Sequence, residues 1–333
     1  MSAPRSAADL VGRRVAIDVP ATTANLGAGF DALAMALDLV TVIEVRAVPP
    51  ETEPPFHVEV LGEGAGQLPA GRRNRFISAL LQGIEATGVD PAGAGWHVRM
   101  DNHIPVTRGL GSSASASVAG LVAADALLDG ALGPERMLEL AAAAEGHADN
   151  AAAAVYGGLC VVTNVDGAPR AVRIDPPANL LAALYIPDKH LSTAAMRAAL
   201  PEQVPFADAV HNVGAATLAV AALSQDRLDL LRPATVDRLH EPYRASAYPE
   251  LPELIAAALA AGAQGACLSG AGPTVIAFSD DVAAAATIAA AMERRALSLG
   301  MTGRAAVQAV RAAGARVIDV GDDQPHGRSL DLT

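Results

Sequence analysis

The stretch GLGSSASAS, residues 109–117, constrains the fold more than any other part of this sequence. Gly109 and Gly111 permit backbone angles that other residues rarely adopt, and an alanine-rich run typical of a helix follows them. Ser112 and Ser113 are favourable helix N-caps. Because a helix start carries unpaired N–H groups and a partial positive charge, the stretch predicts a cradle for phosphate. An ordinary Gly/Ser loop before a helix has the same composition and remains the alternative.

Two better-known phosphate-binding loops do not match this stretch. It has no closing Gly-Lys-Ser/Thr of a P-loop, and it lacks the second glycine pair of a Rossmann fingerprint. The 333-residue chain has a net charge of −12, which argues against a nucleic-acid partner and repels anionic substrates. An anionic ligand therefore needs a local positive site, and Arg108 supplies one cation directly before the loop.

The rest of the chain mixes β-branched strand patterns with alanine-rich helical ones. Strands are predicted at 13–22 and 39–48, for example, without a strict βαβ alternation. This mixture predicts an α+β fold rather than a doubly wound sheet. The length allows two domains, which we expect at 14–172 and 173–322, with flexible termini at 1–13 and 323–333.

The two cysteines, Cys160 and Cys267, lie far apart in apolar runs. Their spacing fits neither a metal site nor a disulfide framework, so we expect free thiols in a reducing cytoplasm. The N-terminus has no long apolar core, and the alanine tracts contain too little Leu or Ile for a membrane span. We therefore expect no membrane partner.

Three glycine-containing motifs occur in order along nearly the whole chain. They are VPATTANLGAGFDALAMALDL (19–39), PVTRGLGSSASAS (105–117) and CLSGAGPTVIAF (267–278). Together they resemble the signature motifs of the GHMP kinase superfamily. A purely structural α+β protein is disfavoured by this ordered set.

Three further segments resemble the homoserine kinase family within that superfamily. They are EGHADNAAAAVYGG (145–158), LSTAAMRAALP (191–201) and LHEPYR (239–244). The chain departs from the family pattern at positions where the family usually has proline, which changes loop stiffness rather than chemistry. These positions are Ala28, Ala148 and Ala153.

The resemblance implies a two-domain GHMP kinase fold, with a layer like ribosomal protein S5 first and a ferredoxin-like layer second. It also implies ATP-dependent phosphorylation of L-homoserine to O-phosphohomoserine by direct in-line transfer, with Mg²⁺, in a homodimer. The implied triphosphate-binding residues are Pro105, Val106, Thr107, Arg108, Gly109, Leu110, Gly111, Ser112, Ser113, Ala114 and Ser115.

For the metal, the resemblance implies the hydroxyl of Ser112 and the carboxylate of Glu139, although Glu139 also fits a solvated helix charge. Glu139 and Asn150 would be roughly 16 Å apart along an unbroken helix. Either that helix bends near Gly146, or the two residues serve different ends of the site. We expect Asn150 and Asp149 at the acceptor.

The acceptor is expected to be a zwitterion. Asn25 and Asp31 suit its ammonium group, and Arg197 and Arg244 suit its carboxylate. The resemblance places these four residues at homoserine, although a surface ion pair is the alternative for each arginine. The predicted catalytic residues are Asp149, Asn150 and Arg244. Asp149 is a candidate base, but a loose transition state depends more on positioning than on deprotonation.

Two rival functions stay open on the sequence alone. One is another small-molecule kinase of the superfamily, such as a mevalonate kinase. The other is a ligand sensor with the same fold and no catalysis. Intact metal residues favour an enzyme over a sensor, and an arginine pair favours an amino-acid acceptor.

Overall fold

The computed structural model describes residues 6–322, which form two sheets and the helices that cover them. The strands are β1 (Arg13–Ala24), β2 (Leu33–Val48), β3 (Phe56–Gly62), β4 (Gly95–Asn102), β5 (Leu159–Val165), β6 (Ala168–Ile174), β7 (Leu181–Pro187), β8 (Gly265–Leu268), β9 (Val275–Ser279), β10 (Gly303–Ala309) and β11 (Arg316–Asp322). The helices are α1 (Arg75–Ala86), α2 (Ser112–Leu127), α3 (Gly133–Glu145), α4 (Asp149–Tyr156), α5 (Thr193–Ala198), α6 (Phe206–Ser224), α7 (Leu231–Ala234), α8 (Glu241–Arg244), α9 (Leu251–Ala260) and α10 (Val282–Ser298).

The larger sheet has seven strands in the order β11-β1-β2-β4-β3, and the β5–β6 hairpin joins it through β2. All of its pairings are antiparallel except β3 with β4. The smaller sheet is antiparallel, in the order β10-β7-β9-β8. This arrangement confirms the predicted α+β fold class.

The pairing of β1 with the long strand β2 shifts register where β2 has two extra residues, Asp38 and Leu39. The shift lies between Pro20 and Ala21, where proline cannot donate to the ladder. On one side of it, Leu33–Met35 of β2 pairs with β5, and on the other side Thr41–Val48 pairs with β4. Beyond the shift, the end of β1 contacts the glycine loop, where the N–H of Thr22 donates to Leu110 O.

Helices α1 and α2 cover one face of the larger sheet over an aliphatic core. Gly120 lies where the two helices approach closely, since a Cβ there would be 2.4 Å from Phe76 O. The contact buries Phe76, Leu80 and Leu121 completely. Close packing here fixes the direction of α2, and therefore of the loop at its start.

A second apolar core joins the two sheets beneath the glycine loop. Leu37 and Leu110 from the first half pack in it with Leu184 and Ile276 from the second half, and all four are fully buried. The loop therefore rests on both halves of the chain.

Two features differ from the predicted division of the chain. Strand β11 lies within the predicted second unit, 173–322, but it pairs with β1 in the first sheet. At the other end, Ala7 and Leu10 belong to a 3-10 helix and are fully buried, so the expected flexible segment 1–13 is packed from there on. Residues 1–5 and 323–333, also expected to be flexible, lie outside the described residues.

Within residues 6–322, one helix is long and apolar enough by length and composition to cross a membrane. It is Phe206–Ser224, with a mean hydropathy of 1.4 over its most apolar window. A single helix of this kind is weak evidence for a membrane span, because core helices of soluble proteins meet the same criteria of length and composition.

Candidate active site

The glycine loop and the first turn of α2 form an uncapped helix N-terminus. Gly109 and Gly111 have φ of 76° and 69°, the left-handed region that favours glycine. Gly111 is the N-cap, and in the described chain no side chain caps α2. Ser112 and Ser113 are therefore not the caps that the sequence predicts. Because no hydroxyl satisfies the first amides of the helix, they remain available to an anion.

A cleft of about 350 Å³ opens at this helix N-terminus, between the two sheets. It brings together most of the residues predicted for the site, from both halves of the chain. Those that line it are Asn25, Asp31, Val106, Thr107, Arg108, Gly109, Gly111, Ser112, Ser113, Ala114, Asp149, Asn150, Arg197 and Arg244.

Three residues of the predicted ATP segment anchor the loop and do not line the cleft. Leu110 is fully buried in the second core. Ser115 is 1% exposed, and its hydroxyl donates to a backbone oxygen of β1 at 2.7 Å. Pro105 is buried as well. These side chains hold the loop in place, so any contact with nucleotide comes from their neighbours.

Arg108, the predicted phosphate cation, is engaged by the chain that follows β7. Its Nε donates to Pro187 O at 2.7 Å and its Nη2 donates to Asp188 O at 2.9 Å. The ring of His190 lies 2.8 Å from its Nη1, which also donates to Val106 O. The guanidinium therefore ties the glycine loop to the 187–190 segment.

Glu145, which the sequence reasoning missed, lies beside the start of α2. The hydroxyl of Ser113 donates to Glu145 Oε1 at 2.8 Å, and Ser117 donates to the same oxygen at 3.3 Å. Arg75 Nη2 is 3.2 Å from that oxygen. All three contacts use Oε1, which leaves Oε2 available to a further ligand. The side chain is only 10% exposed and lines the cleft.

Glu139, the predicted metal ligand, points elsewhere. It pairs with Arg136 at 2.9 Å and Arg170 at 3.4 Å, does not line the cleft, and has a lowered pKa chiefly because Arg136 donates to it. Glu139 and Glu145 are six residues apart on α3, about 240° around the helix axis and roughly 9 Å along it. The prediction for Glu139 therefore does not fit the structure, and Glu145 occupies the position beside the loop.

The break between α3 and α4 explains the difference. Gly146 ends α3 with φ of 80°, and α4 begins at Asp149. The chain does turn near Gly146, one of the two possibilities raised by the sequence. Glutamate directly before a helix-ending glycine was the signal that could have identified Glu145, because such a residue lies at the end of its helix.

Asp149 and Asn150 meet β1 at the floor of the cleft. Asp149 is 2% exposed and its Oδ1 lies 2.6 Å from His147 Nδ1. This hydrogen bond is the main reason why the pKa of His147 is raised. The hydroxyl of Thr22 donates to Asn150 Oδ1 at 2.8 Å. His147 lines the cleft, whereas His211 does not line it and contacts Val236 O.

At the opposite end, Asp31 and Arg197 bind each other. Two hydrogen bonds of 2.9 and 2.6 Å join the guanidinium to the carboxylate. This contact is the main reason why the pKa of Arg197 is raised. Asn25 positions Asp31, since its Oδ1 accepts from the Asp31 N–H at 3.1 Å. Asn25 and Asp31 have φ of 72° and 54°, backbone strain of the kind that clusters at functional sites.

Arg244 is 1% exposed and lies behind this pair. It donates to Gly270 O at 2.9 Å and to Met196 O at 3.3 Å. Burial, followed by the positive charge of Arg197, lowers its pKa. Two guanidiniums and the carboxylate of Asp31 line this end of the cleft, and the pKa of Arg244 stays lowered although Asp31, Asp237 and Glu241 act to raise it.

The third motif is the β8–β9 turn, and it packs directly on the other two. Ser269 Oγ lies 2.7 Å from Gly109 O and 2.9 Å from Thr23 Oγ1. Asn25 Nδ2 donates to Gly270 O at 2.8 Å. A Cβ on Gly109 would be 2.3 Å from Ser269 O, so close backbone approach requires glycine there. The three motifs are therefore neighbours around one cleft.

The outer part of the cleft is apolar, and the sequence analysis did not predict it. Leu68, Pro69, Met100 and Val106 line it beside Asn74. Only the fold brings these residues together, since they belong to β4 and to two loops. A flat, mostly apolar ring would fit among them.

Two sequence models of the GHMP kinases match the chain, "GHMP kinases N terminal domain" over residues 74–158 and "GHMP kinases C terminal" over residues 218–298. Solved structures of this class share the fold. A homoserine kinase from Cytophaga hutchinsonii has a TM-score of 0.80 at 30% identity, covering 92% of this chain and 97% of that one. A Leishmania major mevalonate kinase has a TM-score of 0.63 at 18% identity, covering 91% and 96%, a likeness of fold alone. The fold is that of a GHMP kinase.

Curated relatives define the family more narrowly. A homoserine kinase from Streptomyces avermitilis is 42% identical over 273 residues, 81% of this chain and 87% of the relative. One from Corynebacterium glutamicum is 42% identical over 278 residues, with the same coverage. The chain belongs to the homoserine kinase family, which confirms the resemblance drawn from the motifs.

Proposed function

We propose that this chain transfers the γ-phosphoryl group of ATP to the hydroxyl of L-homoserine, giving O-phosphohomoserine for threonine biosynthesis. The observation that carries the proposal is one cleft with an uncapped helix N-terminus at one end and Asp31, Arg197 and Arg244 at the other. The first end suits a triphosphate, and the second suits a zwitterion. Homoserine kinase relatives at 42% identity support this substrate pair.

For ATP, we place the triphosphate on the first amides of α2, between Gly109 and Ala114. The adenine would lie in the apolar part of the cleft, against Leu68 and Met100. Arg75 lines the same region and supplies a cation near the phosphates. Arg108 is the other proposed cation: it also lines the cleft, and its guanidinium is bound to backbone oxygens as that of Arg75 is bound to Glu145.

Mg²⁺ fits the oxygen atoms at the start of α2. Mg²⁺ bound to a nucleotide takes only one or two protein oxygens, and Glu145 offers its Oε2 beside the loop serines. Among residues 6–322 there is no group of three or more His, Cys, Asp or Glu that could hold a metal by itself. We propose that Glu145 and Ser112 would hold the ion, which would neutralise phosphate charge.

For the acceptor, we propose that Arg197 and Arg244 bind the carboxylate of homoserine and that Asp31 binds its ammonium group. Asn150 would orient the hydroxyl, with its own side chain fixed by Thr22. Buried Asp149 is the carboxylate placed to receive the proton. Orientation is expected to contribute more than the strength of this base, because little deprotonation is needed in a loose transition state.

An acceptor screen tests the function. Purified protein with ATP and Mg²⁺ is expected to release ADP with L-homoserine, and to release less than a hundredth as much with mevalonate, which lacks the ammonium group. Turnover of mevalonate at the rate of homoserine would contradict the acceptor assignment. ATP binding without ADP release for any acceptor would favour the sensor alternative.

The His147–Asp149 pair predicts a pH dependence. Because the hydrogen bond to Asp149 raises the pKa of His147 above 6.5, its stabilisation is fully present below about pH 6.5 and is lost as pH rises through the raised value. The free energy of unfolding of the wild-type protein, measured in urea, should therefore exceed that of His147→Gln most at pH 6. The difference between the two proteins should shrink toward pH 9. A difference that grew with pH would show that folding lowers the pKa of His147 instead of raising it.

We further propose a cytoplasmic homodimer. Cys160 and Cys267 are both free and buried, which supports a reducing compartment. The outer face of α6 supports self-association, since Phe206 is 84%, Val210 55% and Val213 68% exposed.

A further inference from the structure

Phe30 is the shared neighbour of the two arginines at the acceptor end. Its ring centroid lies 5.5 Å from Cζ of Arg197 and 5.3 Å from Cζ of Arg244. The imidazole of His240 stacks on it at 5.1 Å with an interplanar angle of 30°. Phe30 does not line the cleft, so its influence on a bound molecule has to pass through these neighbours.

Holding two guanidiniums at one place has an electrostatic cost. Arg244 is 1% exposed, and the positive charge of Arg197 adds to the effect of burial in disfavouring its charged form. Asp31 forms its two hydrogen bonds with Arg197, whereas Arg244 donates to backbone oxygens and lies 3.3 Å from His240 Nδ1. The carboxyl groups of Asp31, Asp237 and Glu241 oppose this effect, but the pKa of Arg244 stays lowered, so they offset the two cations only in part.

An aromatic ring can offset the remainder without a further charge. Its negative face attracts cations, and both guanidiniums lie within the distance at which that attraction operates. The third neighbour, His240, is kept neutral by burial, which lowers its pKa to about 4. His240 is in turn fixed by Gly27 O, 2.8 Å from its Nε2, so the ring of Phe30 has a rigid backing.

We propose that Phe30 is a positioning residue that holds Arg197 and Arg244 together, so that both face the carboxylate of the acceptor. Phe30 thereby sets selectivity for alcohols that carry a carboxylate. This inference rests on the proposed function, because it assumes that the acceptor is an amino acid.

The test compares two acceptors in three proteins. 3-Aminopropan-1-ol has the amine and hydroxyl of homoserine without the carboxylate, so it reports every contribution except the one assigned to the arginines. Phe30→Leu removes the π-system with little change in apolar character, and Phe30→Tyr retains it. The quantity measured is the ratio of kcat/KM for homoserine to kcat/KM for 3-aminopropan-1-ol.

We expect Phe30→Leu to lower this ratio roughly 5- to 30-fold, the equivalent of about 1 to 2 kcal/mol for two cation–π contacts. The loss should come from KM for homoserine, with kcat within about twofold. Phe30→Tyr should restore at least half of the ratio. ATP affinity, measured by calorimetry, should be unchanged in both variants and reports that each is folded.

The inference is overturned if Phe30→Leu leaves the ratio unchanged, if it lowers both values of kcat/KM equally, or if Phe30→Tyr loses as much as Phe30→Leu. If Phe30→Leu does not bind ATP, the test instead compares the wild type with Phe30→Tyr and Phe30→Met. The ratio of the two kcat/KM values is then expected to fall only in Phe30→Met. Failure of the wild-type protein to phosphorylate homoserine would instead contradict the proposed function.

Discussion

Glu145→Gln is expected to lower kcat at least about 100-fold, whereas Glu139→Gln should stay within twofold of wild type. Glu145 lies against the start of α2, where Ser113 donates to it at 2.8 Å. Glu139 faces Arg136 and Arg170, outside the cleft. Glutamine keeps the size and one acceptor oxygen of either residue, and it replaces the other oxygen and the charge by an NH2 group. The two variants are matched, because both glutamates belong to α3 and the substitution is the same.

Two measurements separate the expected cause from a general loss of structure. ADP release at saturating substrates gives kcat, and calorimetry with a non-hydrolysable ATP analogue, with and without Mg²⁺, gives the contribution of the metal to nucleotide affinity. In Glu145→Gln that contribution should fall while metal-free affinity is retained. Equal losses in the two variants, or a larger loss in Glu139→Gln, would contradict the assignment of Glu145.

The difference between these glutamates also shows what the sequence could not determine. The glycine loop, the start of α2 and the three motifs were predictable because they depend on local backbone preferences. Which glutamate reaches the loop depends on where α3 ends and how the chain turns at Gly146. A shift of a few residues along a helix changes the face that a side chain occupies, and the resemblance alone did not resolve that shift.

Long-range contacts were the other limit. Asp31 and Arg197 were assigned to opposite groups of one substrate, and the structure pairs them across 166 residues. The serines after Gly111 were predicted as caps, but Ser113 is recruited by Glu145, 32 residues further along. In both cases a charged partner from a distant segment of the chain binds a side chain to which the sequence assigned a different role. The pairing of β11 with β1 is equally non-local.

The loop has one geometry because its glycines are surrounded by the other two motifs. A Cβ on Gly111 would lie 1.8 Å from Thr22 Oγ1 and 3.1 Å from Asn150 Oδ1. Thr22 and Asn150 are hydrogen-bonded to each other, so neither can move without releasing the other. The contact connects the phosphate end of the cleft to the residue assigned to the acceptor hydroxyl.

Gly111→Ala is therefore expected to lower kcat/KM about 100-fold, because a displacement of about 1 Å between reacting groups can have an effect of that size. Gly133→Ala is the matched control, since Gly133 has nearly the same φ, 72°, and nothing within 4 Å of its Cβ position. Both alanines incur about 1–2 kcal/mol of backbone strain, and Gly111→Ala adds the clash with Thr22, so both melting temperatures should fall and that of Gly111→Ala should fall further. Only Gly111→Ala should lose ATP affinity. If Gly133→Ala lost as much activity, strain rather than the clash with Thr22 and Asn150 would be the cause.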